Sequence, residues 1–216
     1  RKDLNFGIEG IFFNRTLSLE ANLFRSIHSD IFIFSQPIFP SFYSDFVPYR
    51  NYAENAFNGA EVGLTFLRHY KKWEILFGAN ALYSTSEVKK KDEIYANDYQ
   101  YRKGHPVDAL FGLEADGFFM DENDIKNHAI HAFGIVKPGD IKYVDQNNDG
   151  IVNENDEVRI GRFQAPFSYG LNLQLTYNNV SLSAIGNGRI GANSYIRGDY
   201  YRIDGDKKYS DYVLNR

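Results

Sequence analysis

Residues 166–179 read PFSYGLNLQLTYNN. Every second position gives Phe167, Tyr169, Leu171, Leu173, Leu175 and Tyr177; the positions between give Ser168, Gly170, Asn172, Gln174 and Thr176. Side chains of an extended chain alternate between its two faces, so this stretch predicts a strand with one apolar and one wet face. Tyrosines stand near both ends of the apolar set. Asn178-Asn179 follows as a turn, and Val180, Leu182, Ala184 and Gly186 resume the alternation against Ser181, Ser183 and Asn187.

The same pattern recurs upstream. In residues 71–84, KKWEILFGANALYS, one face carries Trp73, Ile75, Phe77, Ala79, Ala81 and Tyr83, and the other Glu74, Gly78 and Asn80, with Leu76 and Leu82 blurring the contrast. The separation of Trp73 and Tyr83 matches the roughly 9–11 residues of a tilted membrane strand, with aromatic girdles at the two interfaces. Leu4, Phe6, Ile8, Gly10 and Phe12 alternate with Asn5, Gly7 and Glu9. Leu17, Leu19, Ala21 and Leu23 alternate with Ser18, Glu20 and Asn22, and Ala60, Val62, Leu64 and Phe66 with Glu61, Gly63 and Thr65.

Composition agrees with two-faced strands. Aromatic residues make up 16% of the 216, yet mean hydropathy is −0.45. No apolar run approaches the roughly 18 residues of a membrane helix. A net charge of −4 gives no reason to expect a nucleic-acid partner. The absence of cysteine removes disulfides, thiolate metal sites and cysteine nucleophiles. The chain starts at Arg1 with no cationic, then apolar, leader, and we read it as a piece of a longer protein.

A soluble sandwich and a membrane barrel both alternate. The connections favour the barrel. Short turns are expected at Asn14-Arg15, at His69 to Lys72 and at Asn178-Asn179; long links are expected from about Asp30 to Asn58, from about Glu87 to Ala165, and after Asn193. Short and long links alternate strictly, as they do between the periplasmic and outside ends of an outer-membrane barrel. Glu9, Glu20, Glu61 and Glu74 fall on the wet faces, where a hydrated lumen tolerates them and a small sandwich interior would not. The expected fold is therefore all-β: about six strands of a partial antiparallel transmembrane β-barrel with long extracellular loops, residues 1–216 forming part of one barrel domain. Eight strands is about the minimum for closure, so these six would be one arc of a larger wall.

Within the longest link, residues 145–156 read DQNNDGIVNEND. Oxygen-bearing side chains at loop positions 1, 3, 5, 9 and 12, with glycine at 6, follow the spacing of a calcium loop. Asp145, Asn147 and Asp149 would give side-chain oxygens, Ile151 its carbonyl, Asn153 a direct or water-mediated oxygen, and Asp156 the closing carboxylate. Asn at two ligand positions and Asp at the last predict weak affinity, suited to millimolar calcium outside cells. No amphipathic helix flanks the loop, and residues 138–161 read as a calcium-type hairpin within an extracellular loop. The bland alternative is a solvated, Asx-turn-rich hairpin without metal. His128-x-x-His131 has metal-like spacing but no third ligand at a recognisable interval. Glu114 and Asp116 read as exposed loop carboxylates rather than a catalytic pair, and no nucleophile–base set or phosphate loop is visible. Phe39, Phe42, Tyr43, Phe46, Tyr49 and Tyr52 read as packing within a loop, with stacking on sugar rings as the functional alternative.

Residues 137–188, KPGDIKYVDQNNDGIVNENDEVRIGRFQAPFSYGLNLQLTYNNVSLSAIGNG, resemble the SusC/RagA family of TonB-dependent outer-membrane transporters. The matching positions are Pro138, Gly139, Asp140, the loop 145–156, Ile160, Gly161, Pro166, Tyr169 and Gly170. Residues 101–125 resemble a second family segment through Gly104, Pro106, Phe111, Gly112, Asp116, Gly117 and Phe119. Residues 54–64 resemble a strand opening through Asn58, Gly59 and Glu61, with Ala60 where the family has a larger apolar residue. The resemblance implies a 22-stranded barrel with a plug and TonB box, neither present here. It also implies a SusD-like surface lipoprotein as lid, TonB as energy-coupling partner, outer-membrane localisation and import of oligosaccharides or peptides. On that reading the chain supplies wall strands and loops in contact with outer-membrane lipid, and no catalysis. The competing readings are a secreted, calcium-stabilised adhesion or carbohydrate-binding sandwich and a barrel-embedded hydrolase.

Overall fold

The computed structural model describes residues 1–34 and 49–195. One six-stranded antiparallel sheet contains β1 (Lys2–Phe12), β2 (Leu17–Phe34), β3 (Tyr49–Tyr70), β4 (Trp73–Lys90), β11 (Phe167–Tyr177) and β12 (Val180–Ile190), in the order β1-β2-β3-β4-β11-β12. Between β4 and β11 lies an insertion: β5 (Ala109–Gly112), β6 (Ala115–Phe118), α1 (Glu122–Lys126), β7 (Ile130–His131), β8 (Ile141–Tyr143), β9 (Ile151–Val152) and β10 (Val158–Arg162). Loop aromatics Phe39, Phe42, Tyr43 and Phe46 lie outside the described residues.

Direct cross-strand partners share a face, so the register sorts the sheet into rows. One row is Phe6, Leu23, Ala60, Tyr83, Phe167, Ile190; the next is Ile8, Ala21, Val62, Ala81, Tyr169, Gly188. Then come Gly10, Leu19, Leu64, Ala79, Leu171, Gly186, and Phe12, Leu17, Phe66, Phe77, Leu173, Ala184. At the turn end the row Tyr70, Trp73, Tyr177, Val180 closes the band, with the Trp73 and Tyr177 rings 4.8 Å apart. Beyond the opposite margin Arg25, Asn58 and Thr85 share a row. The apolar face is thus a bounded band with aromatic residues near both margins.

No second layer covers that band among the described residues. Leu4, Phe6 and Ile8 are each about two-thirds exposed. The buried apolar residues lie elsewhere: Ala53, Ala56 and Val88 beyond the band, and Ala109, Leu110, Phe119 and Val152 in the insertion. A sandwich would have buried the band against a second sheet; this sheet is a single-layered arc.

Three features depart from the sequence expectations. The strands run past Asp30 and start before Asn58, because β2 and β3 continue as a ladder out to Phe34 and Tyr49. Bulges lie between His28 and Ile31 and between Glu54 and Asn55, with Asp30 in the left-handed region at φ 56°. An extra residue breaks the two-residue period and bends the ladder, which hides the continuation from a periodicity reading. The 91–166 link is structured rather than a bare loop. Residues 138–161 do not pair as one hairpin: β8 pairs with β6, β9 runs parallel to β7, and β10 pairs with β5.

Candidate functional site

The wet face of the sheet and the insertion carry the polar chemistry. Across the wet face one row reads Glu9, Glu20, Gly63, Asn80, Gly170, Asn187; beside it runs Gly7, Asn22, Glu61, Leu82, Ser168, Arg189. Each of five glycines here lies under the side chain of its direct partner: Gly7 under Asn22, Gly59 under Phe24, Gly63 under Glu20, Gly78 under Asn172 and Gly170 under Asn80. A Cβ at any of them would overlap that side chain. Four of these glycines let a polar side chain lie along the sheet instead of standing out from it, and Gly59 does the same for the Phe24 ring. Asn22 also donates to Glu61 at 3.0 Å.

The insertion is pinned to the sheet by Asp108 and Arg162. Arg162 Nη2 donates to Asp108 Oδ1 at 3.2 Å, and both side chains are largely buried, 12% and 14% exposed. Asp108 Oδ2 accepts from the Gln164 backbone N–H at 2.6 Å, and Arg162 Nη1 reaches Thr85 Oγ1. Burial pushes the Asp108 carboxyl up, but the Gln164 N–H and the Arg162 guanidinium more than offset it, leaving the group below its usual range. Backbone bonds from Ser84 N to Pro166 O and from Val88 N to His105 O extend the seam.

Within the insertion no set of three His, Cys, Asp or Glu side chains includes His128 and His131 among the described residues. Their rings sit 5.6 Å apart around the buried Phe119, with Tyr143 5.8 Å from His131. His128 Nδ1 bonds the Ala129 carbonyl, and His131 Nε2 is buried without a partner. Burial, with a smaller push from His128, lowers the His131 pKa.

The loop 145–156 is held by side-chain-to-backbone bonds, three of them Asx turns at Asn147, Asp149 and Asn153. Asp145 Oδ2 accepts from Gly150 N at 2.8 Å, Asn147 Oδ1 from Asp149 N at 3.0 Å, Asp149 Oδ1 from Ile151 N at 2.8 Å and Asn153 Oδ1 from Asn155 N at 2.7 Å. Asp156 is fully buried and accepts from the backbone N–H groups of Gln146, Asn147 and Asn153. A carboxylate has about four acceptor sites, so these bonds leave oxygen capacity unused. Asp145 Oδ1 in particular is buried with no hydrogen-bond partner. Among the described residues no three His, Cys, Asp or Glu side chains converge as a ligand set. The three predicted carboxylates, Asp145, Asp149 and Asp156, are therefore not brought together as one set. Two neighbours brace the loop: Tyr99 Oη donates to Asn155 O at 2.7 Å, and Gln100 Nε2 to Glu154 O at 3.1 Å. Sequence reading missed both the brace and the Asp108–Arg162 pin, because each joins residues more than 50 positions apart.

No family model matches the chain, and no curated protein matches it. Solved structures do. A chain of the RagAB peptide importer in its open-open state is 21% identical, with a TM-score of 0.63, over 88% of this chain and 20% of that one. A second structure, of the RagAB peptide transporter, gives 20% identity and a TM-score of 0.64 over 88% and 21%. The closed-closed importer gives 20% identity and a TM-score of 0.62. This chain thus spans about a fifth of the length of the chains it resembles.

Proposed function

We propose that the chain, which has the fold of part of a RagAB importer chain, is a wall segment of a SusC/RagA-type outer-membrane importer. The observation that carries this reading is the single-layered sheet: an aromatic-bounded apolar band on one face, a glycine-relieved polar wall on the other. Lipid would cover the first face and a hydrated lumen would meet the second. The whole protein would take up oligomeric nutrients, peptides or glycans, driven through TonB and lidded by a SusD-like surface lipoprotein. The importers it resembles are named for peptides, which favours peptides as cargo. The segment contributes wall and outside loops, and no catalytic step is assigned to it.

Calcium would serve the outer insertion as a structural ion, held by Asp145, Asn147, Asp149, the Ile151 carbonyl, Asn153 and Asp156. The buried, unpartnered Asp145 oxygen supports this.

Fractionation and growth test the proposal. The full-length protein is expected in the outer membrane, and its deletion is expected to abolish growth on one class of oligomer while sparing the monomers. Recovery in the soluble fraction without detergent would overturn it.

A further inference from the structure

We propose that the surface around Phe133 is a capture site for cationic peptides, taking an apolar side chain of the cargo and a neighbouring lysine or arginine. The inference rests on the peptide-import reading above and deepens it. It comes from Phe133, which is 60% exposed and stands in the walls of two adjoining open cavities. The first, about 330 Å³, is lined further by Ile135, Val136, Ile141, Tyr143 and Asp140. The second, about 390 Å³, is lined by Ala132, Asn153, Glu154 and Asn155. Both lie at the small end of ligand pockets, about 300–1,000 Å³, which suits single side chains of an extended peptide.

The first cavity is walled mainly by apolar side chains. Ile135 is 94% exposed, and Ile141 continues the apolar surface to its cross-strand partner Phe118, 63% exposed. Exposed apolar residues grouped in this way mark binding surfaces. Each cavity also holds a carboxylate. Asp140 and Glu154 are exposed, and neither forms an ion pair among the described residues, although Lys137 is only three positions from Asp140. Both stand on fixed backbone. Asp140 Oδ2 accepts from Lys137 N at 2.8 Å, and Asp140 N donates to Lys137 O at 3.0 Å. The Glu154 carbonyl accepts from Gln100 Nε2 at 3.1 Å. A cation lying on the exposed Phe133 ring gains from the ring face and from a carboxylate in the cavity on either side.

The surrounding charge favours the same partner. Residues 114–156 carry ten of the chain's 28 acidic side chains and three of its 24 lysines and arginines, so the rest of the chain is net basic. An acidic outer insertion raises the local concentration of cationic peptides and speeds their encounter with the apolar cavity.

The test uses the full protein in detergent. Two short capped peptides, leucine flanked by lysines and leucine flanked by glutamates, are titrated by calorimetry at low salt. The lysine peptide is expected to bind at least about tenfold tighter, a preference that fades near 1 M salt, where the screening length is about 3 Å. Asp140→Asn combined with Glu154→Gln should weaken the lysine peptide about tenfold, and Phe133→Ala should weaken it severalfold. A missing preference, or one that survives the double replacement, would overturn the site and leave peptide import standing. Binding of neither peptide up to about 1 mM would overturn both. Slow hydrogen exchange over residues 133–136 without peptide would show the face already covered by a lid or a second copy, and would overturn the site. Both amide replacements keep an acceptor oxygen and Phe133 is exposed; should a variant still fail to fold, the wild-type preference and its salt dependence decide.

Discussion

The carboxyl group of Glu20 lies over Gly63, its direct partner on β3. On its other side Glu20 is paired with Glu9 on β1. Like charges directly opposite on a sheet repel by up to about 1 kcal/mol. Gly63 gives Glu20 room to lean toward β3 and away from Glu9. Gly63→Ala is expected to destabilise the sheet by about 1 kcal/mol, and Glu20→Gln is expected to recover part of that loss. Urea unfolding of the two single variants and the double variant measures the coupling. Strictly additive effects would show that the glycine serves another purpose.

Leu173 and Gln174 are chain neighbours on opposite faces of β11. Arginine on the lipid face of a barrel costs about 2–4 kcal/mol near the midplane, whereas lumen positions tolerate it. Leu173→Arg should therefore impair folding into vesicles far more than Gln174→Arg. Equal penalties would contradict a lipid-covered band.

The Asp108–Arg162 pin predicts acid sensitivity. The folded-state pKa of Asp108 lies below the ordinary aspartate value of 3.8. Its stabilising contribution is full above the unfolded value and is lost as pH falls through the lower folded one. Limited proteolysis of the insertion should accelerate below about pH 4. Asp108→Asn should loosen the insertion by about 1–3 kcal/mol at neutral pH, because Arg162 then loses its charged partner.

His131 acts in the same direction, losing stability as the pH falls, but in a higher window. Burial lowers its pKa from 6.5, so the unfolded state holds the proton more tightly. Stability is full above about pH 6.5 and falls as the pH drops toward and through the lowered folded value. The groups facing the ring are His128, Phe119, Tyr143 and, at longer range, Asp140. Replacing His131 with Phe should flatten the pH dependence of insertion unfolding between about 5 and 7. A profile unchanged by the substitution would assign it to other groups.

Two loop aspartates separate architecture from ion binding. Asp156 is fully buried under three backbone N–H donors. Asp156→Ala should cost about 1–3 kcal/mol even in chelator. Asp149 is exposed and holds the Ile151 N–H. Asp149→Ala should change little in chelator yet remove any calcium-dependent rise in melting temperature. A rise retained in Asp149→Ala would exclude it as a ligand.

The alternation in residues 166–179 and 73–83 was sufficient by itself to identify two-faced strands, their short turns and an all-β arc, because the two-residue period is a local property of an extended backbone. Loop spacing likewise marked residues 145–156 without any knowledge of the fold. Only the tertiary structure decided that β4 pairs with β11 across the whole insertion, that Glu20 rests on Gly63, and that Arg162 meets Asp108. Those contacts join residues far apart in the chain, and no local period encodes which of two distant strands will be neighbours. The bulge at Asp30 shows the boundary between the two kinds of information: one extra residue moves later side chains to the opposite face, and only the partner strand keeps the register.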